Sequence, residues 1–80
     1  MQQTQHFGVA GTGAVTVARR TVGRGRQVIT VTGERWLSVQ REASSIWQSA
    51  DAWLRQPMQP VALPTSDGGF TAVVIINEAE

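Results

Sequence analysis

The sequence predicts a small α+β protein, with an antiparallel sheet of three to four strands packed against one main helix in the order β-β-β-α-β. Three observations predict it. Two β-branched runs flank a glycine turn at residues 23–25, apolar residues recur at helical spacing through residues 45–56, and residues 70–77 form an almost unbroken apolar run. At 80 residues and 8.7 kDa, the chain (1–80) is expected to form a single domain. So short a chain builds one thin core, worth on the order of 3–5 kcal/mol, and oligomerisation is one way to add to it. Cysteine is absent, so neither disulfides nor a cysteine-held zinc can contribute.

The elements follow in order. Residues 1–6 are polar and expected to be disordered; Phe7 and Val9 alternate with small residues as a short edge strand, broken by Gly8, Gly11 and Gly13. Residues 14–22 and 26–32 read as strands because β-branched side chains alternate along them. Gly23-Arg24-Gly25 joins them, since glycine takes positive φ without steric cost. A three-residue loop sets Val17 opposite Val31 and Arg19 opposite Ile29. Gly33-Glu34 then reads as a two-residue type II′ turn into a third strand over residues 35–40. One sheet face would gather Val15, Val17, Ile29, Val31 and Trp36.

A second reading competes over residues 35–40. Trp36, Val39, Ala43, Ile46, Ala50 and Trp53 fall at spacings 3, 4, 3, 4, 3, a helical stripe that would start one long helix near Glu34. The Ser45…Gln48 capping-box pattern and the Thr-Gly-Glu-Arg turn favour strand first, helix second. On either reading the helix covers residues 45–56 and stops before Pro57, because proline disfavours helical geometry in the residue preceding it. A proline-rich connection leads to the last strand, apolar on both faces and so suited to the sheet centre or to a dimer edge.

The chemistry is sparse. All seven basic residues are arginine, there is one histidine (His6), and lysine and tyrosine are absent. Thiol nucleophiles, Schiff-base lysines and tyrosine acids are therefore excluded, and no metal-ligand spacing appears. The expectation is a protein that is not an enzyme, with no cofactor and no metal. The glycines from Gly8 to Gly13 resemble a nucleotide loop only faintly, because Thr16 stands where the dinucleotide fingerprint needs its third glycine.

Charge is polarised. Residues 1–40 carry five arginines against Glu34, while residues 41–80 carry two arginines against five acids. Arg19, Arg20, Arg24 and Arg26 surround one turn, and guanidinium forks suit carboxylates and phosphates. Trp36 and Trp53 fall on the expected core faces; Trp47 points about 100° from Ile46 around the helix and is divided between core rim and partner anchor. The expected site is thus partner-binding: Arg19, Arg20, Arg24, Arg26 and Trp47, facing an acidic protein or ribonucleoprotein surface. Nucleic-acid binding through the arginine hairpin is the alternative, with a minor phage structural or assembly protein as a third class. The protein itself is expected as monomer or homodimer.

The hairpin at 14–32, the helix at 45–56 and the strand at 70–77 together resemble the layout of small phage-encoded anti-CRISPR proteins. That group shares no diagnostic motif, so no residue role is carried over. The resemblance implies an inhibitor that blocks target-DNA binding by a CRISPR effector complex. It would act in the host cytoplasm; no apolar run approaches the roughly 18 residues of a membrane span.

Overall fold

The computed structural model describes the backbone of residues 2–7 and all of residues 14–77. The elements are β1 (Gln2–Phe7), β2 (Val15–Val22), β3 (Arg26–Gly33), α1 (Trp36–Ser49), β4 (Leu63–Pro64) and β5 (Phe70–Asn77). They form an α+β fold with a five-stranded antiparallel sheet in the order β1-β2-β3-β5-β4 and one helix. Residues 2–6, expected to be disordered, are instead the edge strand: Gln5 lies opposite Val17 and Gln2 opposite Arg20. Val9 and the glycines from Gly8 to Gly13 fall outside the described residues.

The central hairpin forms as its alternation dictates. Val17 pairs with Val31 and Arg19 with Ile29 across the three-residue turn, where Gly23 and Gly25 hold φ of 63° and 84°. β5 then pairs with all of β3, setting Val74 opposite Ile29 and Ala72 opposite Val31. Period-two alternation puts Val15, Val17, Ile29, Val31, Ala72 and Val74 on one face, all buried. Val39 and Ala43 of α1 and Ala62 of the connection complete the core, with Ile46, Trp47, Phe70 and Ile76 at its margin.

The third strand over residues 35–40 is not formed. α1 begins at Trp36, and the helical stripe prevails because β5 occupies the whole free edge of β3. Phe70–Asn77 offers eight ladder positions of strong strand formers, against a mixed polar run over 35–40. Gly33 accordingly does not make a positive-φ turn. It ends β3 where a Cβ would stand 3.0 Å from Val39 Cγ2 and 3.1 Å from the Ala14 carbonyl oxygen, so its missing side chain lets the helix approach the sheet.

The helix also ends early, at Ser49 rather than Gln56. Leu54 and Arg55 close a separate turn on the Asp51 carbonyl (2.9 and 3.1 Å), and the chain then runs beside β5. Asn77 N–H donates to the Leu54 carbonyl (2.8 Å), Gln56 N–H to the Ile75 carbonyl (3.0 Å), and Ile75 N–H to Gln56 Oε1 (2.7 Å). A continuous helix to residue 56 could not satisfy these edge groups. The break removes Trp53 from the stripe: it is 72% exposed, and Trp36, expected in the core, is 45% exposed at the helix start. Gln40 braces the connection, donating from Nε2 to the Pro60 carbonyl (2.8 Å) and accepting from Ala62 N–H at Oε1 (2.8 Å).

The burial pattern makes an unequal prediction for equal-looking apolar residues. Ile29→Ala should cost about 3 kcal/mol, most of what so small a core supplies, whereas Trp53→Ala should change stability by less than about 0.5 kcal/mol. Urea unfolding followed by circular dichroism reads both.

Candidate functional site

The alternation that builds the core also divides the four hairpin arginines. Arg19 shares the helix-side face with Val17 and is half-buried. It lines a groove of about 380 Å³ with Glu42, Ser45, Ile46, Ser49, Ala50 and Ile76. Arg20 and Arg26 lie on the other face and Arg24 at the turn; all three are exposed. Arg26 Nε donates to Asn77 Oδ1 (3.1 Å), tying the hairpin tip to the end of β5. The structure thus brings three of the four arginines to the helix-free side and the tip, and turns Arg19 away.

Trp47 lies at the core margin. Its Nε1–H donates to the Gln56 carbonyl (2.9 Å), and the Arg55 guanidinium stacks 3.8 Å from the ring centroid while donating to the Trp47 carbonyl (3.2 Å). These contacts weld the turn after α1 to the helix and give the ring a structural task. Of the two readings weighed for Trp47, its packing matches the core rim.

The helix covers one face of the sheet only. Strand register orders the open face in rows. Thr16, Thr32, Thr71 and Leu63 form the first; Ala18, Thr30 and Val73 the second; Arg20, Val28 and Ile75 the third; Val22, Arg26 and Asn77 the fourth, beside the arginine tip. Its middle is apolar: Val73 is 43% exposed and Ile75 36%, beside half-buried Val28. Leu63 (59%) and Val61, also exposed, extend the apolar surface past β5. Sequence reasoning flagged the two apolar faces of residues 70–77 but overlooked Val61 and Leu63, whose alternation with Ala62 was the available signal. No aromatic side chain stands on this face among the described residues.

The opposite end of the sheet carries two acids, with one exposed arginine, Arg35, next to Glu34. Glu34 and Asp67 are exposed around an open hollow of about 740 Å³ lined by Gly33, Gly68, Gly69 and Phe70. The Thr65 hydroxyl donates to Asp67 Oδ1, and Gly69 N–H donates to the same oxygen (3.3 Å). The hydroxyl foremost, then the backbone N–H, hold the Asp67 carboxyl below its ordinary value. Among the described residues no three His, Cys, Asp or Glu side chains gather as metal ligands, and no helix is long and apolar enough to cross a membrane. The side chain of His6 lies outside the described residues.

No protein family matches the chain, and neither the curated proteins nor the solved structures contain a match to it.

Asp67 yields a signed prediction. Its folded-state pKa lies below the ordinary 3.8, so its bonds stabilise the turn fully above that value and are lost as pH falls through the lower, folded one. Carboxyl NMR titration should find its midpoint under 3.8, and Asp67→Asn should destabilise the protein near neutral pH but not at the acid end of the titration.

Proposed function

We propose that the protein is a non-enzymatic binding domain that works by occlusion, laying its open sheet face and arginine-tipped hairpin against an acidic surface of a larger protein. The observation that carries this reading is the pairing, on one helix-free face, of an apolar centre (exposed Val73 and Ile75 beside half-buried Val28) with Arg20, Arg26 and the neighbouring Arg24 at one end. An apolar middle with a charged margin is the build of a protein–protein contact: desolvation of the middle supplies affinity and the margin supplies orientation. The contact residues in this reading are Arg20, Arg24, Arg26, Val73 and Ile75; Arg19 and Trp47 stand behind the surface and support it. The layout shared with small anti-CRISPR proteins supports a finer form, in which the covered partner is a CRISPR effector complex and the covered surface its hold on target DNA.

A protein partner is favoured over nucleic acid by the face itself. Sheets that bind single strands stack bases on aromatic side chains, and the described residues of this face have none. Three arginines on phosphates would give a log–log salt slope of about −2.7 on duplex DNA, whereas a protein contact centred on Val73 and Ile75 gives a shallower one.

The test is capture of partners from host lysate with and without nuclease, by the wild type and by two variants that leave the core untouched. A stoichiometric protein partner should survive nuclease. Arg24→Glu with Arg26→Glu, and separately Ile75→Asp, should each lower its capture by about tenfold or more. Recovery of nucleic acid alone, with the steep salt slope, would overturn the reading.

A further inference from the structure

We propose that the open face is self-complementary, and that in the free protein it is covered by a second copy of this chain in a symmetric antiparallel dimer. The inference rests on the reading of that face as the docking surface and adds what regulates it.

The rows of the open face set the geometry. A two-fold axis lying across the strands, between the second and third rows, reverses strand direction and keeps β5 over β5. The row Ala18, Thr30, Val73 then meets the row Arg20, Val28, Ile75 of the second copy, so that Val73 and Ile75 cover one another twice. Arg26 comes over the threonine row, and the tip with Arg24 comes over the end that carries Glu34 and Asp67. The eight residues of β3 separate those two ends by about 26 Å, so Arg24, Arg26 and the two acids sit at opposite limits of the overlap, while Arg20 comes over Ala18 of the second copy. The same operation applied along the strands would set tip on tip and acid on acid, so electrostatics selects the antiparallel form.

Area is sufficient. The three eight-residue strands of about 26 Å, together with six-residue β1 and two-residue β4, lie about 4.8 Å apart and give a flat footprint of about 500 Å² per copy, and hence about 1,000 Å² for the pair, the lower limit for a specific interface. An interface at that limit is one of modest affinity, which a larger partner can displace. Self-association therefore acts as a reversible cover, and partner binding must compete with it.

Sedimentation equilibrium of the purified full chain, from about 1 μM to 1 mM, tests this without any partner. The mass should climb from 8.7 kDa towards twice that value with concentration. Ile75→Asp and, independently, Val73→Lys should weaken the dimer by about 100-fold or more with circular dichroism unchanged, because both side chains are exposed in the single chain. Glu34→Arg and Arg24→Asp should each weaken it by about tenfold, and the double swap should recover most of that loss. A monomer throughout the range, or a dimer indifferent to both face variants, overturns the proposal. Failure here with Ile75-dependent capture of a partner would leave the docking face standing; a dimer through Ile75 whose partner binds elsewhere would remove the docking reading instead.

Discussion

The pairing of β5 with β3 is the interaction on which the rest of the structure depends. It joins the end of the described chain to its middle, places Val74 and Ala72 beside Ile29 and Val31, and so creates a strip wide enough for one helix to cover. It also takes the edge of β3 that a strand at residues 35–40 would have used, which sends them into α1. The helix in turn must come close at the end of β3, and Gly33 is the residue whose missing side chain allows it. Each later feature is a consequence of that ladder: the early helix end, the turn at 51–55 and the capping of β5 by Leu54 and Gln56 all serve its outer edge.

The ladder also decides the chemistry of the surface. β5 is apolar on both faces, and pairing it beside β3 buries Val74 while leaving Val73 and Ile75 on the open side. Strand alternation applied to Arg19-Arg20 sends one guanidinium to the helix side and one to the open side. The basic and acidic ends of the sheet arise in the same way, since β3 begins at Arg26 and runs directly into Glu34. In the contacts proposed for this face, an oriented charge pair of this kind would steer association and fix register more than add affinity, while the apolar middle would supply the binding energy.

Much of this was legible in the residues, and the exceptions have physical causes. The hairpin register was readable because a three-residue glycine turn leaves one pairing that buries Val17, Ile29 and Val31 together. The α+β class was readable for the same reason. The segment at 35–40 was not, because its apolar spacing suits a helix and a strand about equally, and only competition with distant β5 decides between them. Trp36 and Trp53 were misplaced with it: a stripe counted along one continuous helix has no knowledge of the break at Ala50. Of the strand at Gln2–Phe7 only Phe7 was read as edge strand, because the polar composition of residues 2–6 hides a pairing supplied by β2. For the site, the arginine cluster was visible but its division between faces was not, nor were the contacts of Trp47 with Arg55 and Gln56, which the turn after α1 supplies.

A sheet covered on one side sets a particular problem for a chain of this size. Its one helix covers one face, and the second face still holds Val28, Val73 and Ile75. Replacing those side chains with polar ones would make the single chain more soluble without touching the core, since none of them is in it. Threonines on the same face show that such positions accept polar residues readily. An apolar middle on a face that accepts threonine, arginine and asparagine at neighbouring positions is therefore not a demand of the fold. It is the feature expected of a surface that is dry part of the time, against a partner, against its own copy, or against each in turn.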